Sequence, residues 1–242
     1  MRFILAVFLA AAPIGIACAA GLDDANAGLA AARRGEFDEA IRLFSAALAA
    51  GDLSPGNVML AHHNRGNAYQ DKGDYPRAIA DYTTAIRMKP DYAEAFYARG
   101  RARYALGDLA ASGTDFARSV RLDPSDAYAV LWLHLVRGRA AASDADELKR
   151  NAGRLDLAHW PGALVSLYLG KSTPGQVRGQ SAQGDADAQR EKTCEAAFFL
   201  GEYELLRMND GAAKPLFEEA AKNCPYTTDE YDGAMLELAR LL

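Results

Sequence analysis

The chain has 242 residues, half of them hydrophobic, and a formal net charge of −5. That length can bury a substantial core. The acidic balance argues against a nucleic-acid binder, which presents a basic surface.

Met1 to Ala20 reads as a secretory signal covering residues 1–19. Arg2 is the positive start, Phe3 to Ala12 the apolar run, Pro13 to Gly15 the break, and Ala17-Cys18-Ala19 the small-residue cleavage pattern. The run is too short to span a bilayer, so no transmembrane segment is expected in the mature chain. Cys18 near the cut raises the alternative of an outer-membrane lipoprotein, but Gly15 stands where such signals carry leucine. The reading favours a soluble periplasmic product.

Gly21 to Leu53 reads as a helix hairpin turning at Arg33-Arg34-Gly35-Glu36, with a loop at Leu53 to Asn57 marked by Pro55-Gly56. The clearest pattern follows, from Met59 to Tyr92. Gly66 and Tyr69 mark one face of a first helix, and Ala78, Tyr82 and Ala85 one face of a second. Gly73 supplies the turn between them. Pro90 ends the second helix, and Asp91 is a suitable cap for the next.

A shift of 34 carries Gly66 to Gly100, Gly73 to Gly107, Tyr82 to Phe116 and Pro90 to Pro124. Upstream, Gly28, Gly35, Ala40, Phe44 and Ala47 keep the same relative spacing at an offset of 38. Downstream, Gly201, Ala213, Phe217, Ala220 and Pro225 repeat it. A degenerate copy starts near Ala127: an apolar helix to Ala140, then a partner over Ser143 to Leu157 capped by Ser143. His159-Trp160-Pro161 breaks the register.

Short helices are expected at Ala163 to Leu169 and from Thr173-Pro174. Gln180 to Asp187 reads as polar and mobile. Glu191 to Met208 and Ala212 to Asn223 form the last hairpin. Thr228 to Leu242 is a single end helix with Tyr231, Met235, Leu238 and Leu242 on the stripe expected to cover the last apolar face.

A period near 34 with small, aromatic, small and proline markers is the tetratricopeptide pattern. The central hairpins resemble tetratricopeptide proteins. The resemblance implies an all-α fold, a TPR-type α-solenoid of antiparallel hairpins with a C-terminal capping helix. The expected parts are three hairpins over 20–126, a degenerate repeat with short helices over 127–190, and a final hairpin with its cap over 191–242.

The stretches Trp160 to Val177 and Cys194 to Pro225 resemble the NlpI group of bacterial envelope TPR proteins. That resemblance implies a non-enzymatic adaptor that dimerises and presents envelope proteins to a protease or to cell-wall machinery. The alternative is a structural subunit of an envelope or secretion assembly. A homodimer would use Leu22, Leu29 or the Ile41–Phe44 face.

Cys194 and Cys224 fall at neighbouring ends of the last antiparallel pair, so a disulfide is expected, against two reduced buried thiols as the alternative. The peptide- or protein-binding residues are sought on the first helices of the hairpins, which line a solenoid's groove. There Leu60, His63, Asn64, Asn67 and Gln70, with Tyr97, Arg101 and Tyr104 of the next repeat, offer amide hydrogen bonds and aromatic and arginine anchors. An ordinary solvated helix face is the plainer alternative.

The carboxylate clamp of chaperone-type repeats is not supported. Asn64 matches one clamp position, but the others fall on Ala25, Leu29, Glu94 and Ala98. His62 and His63 are adjacent and cannot share a metal; His62 reads as the packing residue, and His134, Trp132 and Trp160 as core. Gly170-Lys171-Ser172 lacks the glycine of a phosphate loop, having Val165 in its place. Glu202 and Glu204 lie two apart on a helix and diverge. No catalytic set, metal site or cofactor is expected.

Overall fold

The computed structural model describes residues 20–141, 145–225 and 228–242. The signal segment, Cys18 and the Ser143 cap lie outside them. All regular structure among the described residues is helical, in two compact units divided between Gly107 and Asp108.

Residues 20–107 hold α1 (Ala20–Arg33), α2 (Phe37–Ala50), α3 (Pro55–Asp71), α4 (Tyr75–Met88) and α5 (Ala93–Ala105). Capping chemistry sets the helix starts. Ser54 accepts from the Asn57 amide with Pro55 in the first turn, and Asp74 accepts from the Arg77 amide. At α5 the cap is Tyr92, not Asp91, and no side chain caps that helix.

The hairpins close through aromatic-on-glycine contacts. A Cβ on Gly28 would lie 3.0 Å from the Phe44 ring, and one on Gly66 would lie 2.8 Å from Tyr82. Phe44 and Tyr82 are therefore seated on the first helix of their own hairpin, both fully buried. Alanines 25, 31, 40, 47, 61 and 68 fill the space between α1, α2 and α3, with Leu29 among them. Two residues suggested for a dimer face, Leu29 and Phe44, thus belong to this core.

Residues 108–242 hold α6 (Leu109–Leu122), α7 (Ala127–Arg139), α8 (Ala145–Ala152), α9 (Gly162–Tyr168), α10 (Pro174–Ser181), α11 (Ala186–Leu206), α12 (Asp210–Asn223) and α13 (Asp229–Arg240). Their core is a run of rings. Trp132 stacks on Phe116 at 5.8 Å and meets Phe198 at 5.5 Å, and Phe198 reaches Phe217 at 6.1 Å. Trp160 is only half-buried. The partner of α7 is shorter than expected, eight residues instead of a helix reaching Leu157. The polar stretch 180–187 is divided between the end of α10 and the start of α11. Asp185 caps α11 by accepting from the Ala188 amide at 2.9 Å, which draws that stretch into helix. Cys194 therefore lies in the third turn of α11, not at its start, and bridges to Cys224 at the C-cap of α12.

The end helix is turned the other way round from its hydropathy. Its buried residues are Glu230, Gly233, Ala234 and Glu237. Met235 and Leu242 are exposed, and Tyr231 and Leu238 are half-buried. Two contacts explain the reversal. Gly233 lets Phe198 approach so closely that a Cβ there would lie 2.5 Å from the ring. Arg139, the last residue of α7, donates to Glu237 at 2.7 Å and to Glu202 of α11 at 3.4 Å, and Arg240 also pairs with Glu237. Charge and small size, not apolar surface, bring α13 to its neighbours.

Candidate functional site

The α3 and α5 faces place the eight sequence-derived residues in two environments. His63, Asn64, Gln70 and Tyr104 are buried, whereas Leu60, Asn67, Tyr97 and Arg101 are half-buried. The expectation of a uniformly outward face is thus corrected for four of them. Leu60 packs against the cores on both sides of α3.

His63 is only 4% exposed and lies between the rings of Tyr82 and Tyr92, at 5.6 and 5.1 Å. Its Nδ1 has no partner among the described residues, and burial pushes the imidazole down to about 4. Tyr92 beside it is also buried; burial first, and the charge of Glu94 second, push its phenol up. The packing and outward roles of the two histidines are therefore exchanged. His62 reaches away from that core, its Nδ1 2.8 Å from Asp81. Asn64 is buried with neither amide atom partnered among the described residues.

Four groups join into one polar chain. Gln70 satisfies its neighbours in a single amide orientation. Its oxygen accepts from Arg101 Nη2 and Nη1 at 3.1 and 3.2 Å, and its nitrogen donates to Tyr82 Oη and the Ala98 carbonyl, each at 3.3 Å. The Tyr82 hydroxyl donates in turn to Asn67 Oδ1 at 2.8 Å. Arg101, Gln70, Tyr82 and Asn67 thus form a relay from the half-exposed face into the hairpin core. Tyr82 was legible as packing but not as its central member; a hydroxyl on the buried aromatic position was the only signal.

A second network escaped the sequence reading. Arg65 donates from Nε to Asp81 Oδ2 at 2.7 Å, from Nη2 to Oδ1 at 2.8 Å, and from Nη1 to Ser45 Oγ at 3.0 Å. Burial pushes the Asp81 carboxyl up, but hydrogen bonds from Arg65 and His62 outweigh it and hold that carboxyl below its usual range. In the next repeat Arg99 Nη1 donates to Thr83 Oγ1, again at 3.0 Å. The same repeat offsets relate the two sets, 34 for Arg65 to Arg99 and 38 for Ser45 to Thr83. A recurring arginine clasp therefore ties each of these hairpins to the helix that follows it.

No helix among the described residues is long and apolar enough to cross a membrane.

Two family models, both described as the tetratricopeptide repeat, match residues 16–91 and 63–127. Solved structures agree in fold. A tetratricopeptide repeat protein from Parabacteroides merdae is 19% identical, with a TM-score of 0.53 over 91% of this chain and 86% of that one. TTC0263, a thermophilic TPR protein of Thermus thermophilus, is 19% identical, with a TM-score of 0.51 over 90% of this chain and all of that one. The MamA protein is 18% identical, with a TM-score of 0.51 over 84% of this chain and 91% of that one.

Proposed function

Because the chain carries tetratricopeptide repeats in an all-helical fold of hairpins, we propose that it is a non-enzymatic adaptor that binds a protein or peptide through the α3 and α5 face of residues 20–107. The observation that carries this reading is the relay from Arg101 through Gln70 and Tyr82 to Asn67. It fixes amide and guanidinium groups in advance on a half-exposed face, so little rotamer freedom remains to be lost on binding. Tyr97 and Arg101 are the anchors, and Asn67 holds the extended backbone of the ligand. Glu94 on α5 and the alanines at clamp positions turn the preference away from a terminal carboxylate.

The apolar leader with its small-residue cut supports an envelope setting, and the disulfide is compatible with the periplasm. The partner class is then a periplasmic or envelope protein, as the resemblance to the NlpI group implies.

The test selects peptides by display against the mature protein and measures their affinity by fluorescence anisotropy. Tyr97→Ala with Arg101→Ala is expected to weaken binding about tenfold or more, with the far-ultraviolet helical signal retained. Unchanged affinity in a folded double variant would move the site off this face. Crosslinking in cells to one fixed assembly, indifferent to the double variant, would identify a structural subunit instead.

A further inference from the structure

The first helix starts against the end of the second. The Gly21 N–H donates to Asp52 Oδ2 at 3.3 Å, from the second residue of α1 to the loop after α2. Gly21 is buried, and a Cβ there would collide with Asp52 Oδ1 and lie 3.0 Å from the Ala47 carbonyl oxygen. Glycine thus lets the last turn of α2 and the Asp52 carboxylate come up to the start of α1. In helical backbone the Ala20 nitrogen lies about 3 Å from that of Gly21, and the first N–H groups of a helix point the same way. The carboxylate that holds Gly21 is therefore within reach of the Ala20 nitrogen.

Ala20 is also the residue that follows the small-residue cut, Ala17-Cys18-Ala19. Hydrolysis of the Ala19–Ala20 peptide bond consumes one water. It leaves a carboxylate on Ala19 and an amine on Ala20, which takes up a proton at neutral pH. A neutral amide thus becomes a cation with three donor hydrogens. We propose that leader removal switches on an ion pair between the new Ala20 ammonium and Asp52, so that the first hairpin is completed only in the processed protein. The proposal rests on the leader reading given above. The groups facing the new terminus favour a cation. Asp52 comes from the loop after α2 and Asp23 from the first turn of α1, and the last turn of α2 carries no basic residue. Asp24 is directed to Arg42 of α2. α3, which also packs on α1, opens with the uncharged Pro55-Gly56-Asn57-Val58. The carbonyl end of α2 adds its negative pole, whereas the positive start of α1 itself opposes the ammonium. The sign of the effect therefore depends on Asp52.

That dependence is open to test. The full chain is expressed in a Gram-negative host, recovered from the envelope, and its first residue read by intact mass and N-terminal sequencing. A first residue other than Ala20 would overturn the proposal, and an uncut chain would overturn the leader reading with it. Protein beginning at Ala20 is compared with its Nα-acetylated form, whose amide stands in for the precursor's, each with and without Asp52→Asn. With Asp52 in place, acetylation is expected to lower the thermal midpoint at about pH 6.5 by about 2 °C, the scale of one exposed ion pair. In Asp52→Asn it should leave the midpoint level or raise it. The amine, followed through the pH dependence of its acylation rate, should titrate above the ordinary range of about 7.7 to 8.0. A raised amine gives its stabilisation below that range and loses it as pH rises through the folded value, so the acetylation effect should vanish at about pH 10. If Asp52→Asn does not fold, the amine titration of the unaltered protein decides alone. Equal effects of acetylation with and without Asp52, or an amine that titrates in the ordinary range, would overturn the ion pair and leave the leader reading standing.

Discussion

A histidine between two tyrosine rings makes the stability of this protein depend on pH in one direction. His63 titrates at about 4 in the folded protein and near 6.5 when unfolded. Between those values the unfolded chain holds a proton that the folded one refuses, so stability falls as pH drops from 6.5 towards 4. The full difference is on the order of 3 kcal/mol for a group so deeply buried. Urea midpoints at pH 7 and pH 4.5, compared between the natural protein and His63→Leu, measure it. The leucine variant should lose markedly less stability on acidification; equal losses would mean that the ring meets water. The exchange between His62 and His63 shows where single-residue reading stops. Gly66 sits four residues after His62, which favours His62 as the packing residue. Yet α3 touches neighbours on two sides: Ala61 and Ala68 pack towards α1 and α2, Met59 towards Tyr92 and Ala95. Burial then covers more of the helix than an apolar stripe marks out.

Hairpin turns carry the repeat more faithfully than side chains do. Gly35, Gly73 and Gly107 have φ of 76°, 73° and 80° at equivalent positions. The same offsets lead to Ala141 and Met208, with φ of 51° and 57°. The backbone therefore keeps its left-handed turn where glycine has been lost, including in the copy whose side chains no longer match. A left-handed residue with a Cβ costs roughly 1 kcal/mol, partly offset by the freedom glycine would add to the unfolded chain. Met208 is 91% exposed, so little packing is at stake. Met208→Gly is expected to raise stability by about 0.5 kcal/mol, read from chemical unfolding; a clear loss would mean that the methionine side chain holds the turn. The glycine-aromatic pairs were legible because few residue types fit a helix crossing that close. The Arg65 clasp was not, since hydropathy counts a buried Arg–Asp pair as two solvated charges. The inner face of α13 was misjudged for the same reason.

At the scale of the molecule, stability in stacked hairpins is a sum of local terms and nearest-neighbour contacts. The Cys194–Cys224 bridge closes a 30-residue separation over the last hairpin. In the chain-entropy account that is worth roughly 3 to 4 kcal/mol. Its reduction should strip hydrogen-exchange protection from α11, α12 and α13 while leaving α1 to α4 protected; uniform loss would reveal one cooperative body. Charge is also unevenly shared. Residues 20–107 hold eleven basic and eleven acidic side chains, whereas residues 108–242 hold fifteen against twenty-one. The whole net negative charge thus belongs to residues 108–242, where long-range attraction would favour cationic partners at low salt. The end helix α13 completes that unit through Glu237 on Arg139 and Gly233 under Phe198. It is consequently not an interchangeable part. A capping helix borrowed from another repeat protein, oily on its inner side, would leave Arg139 facing Glu202 alone and drive a side chain into the Phe198 ring. Anyone splicing this unit into an engineered array would have to carry over the arginine, its two carboxylates and the glycine together.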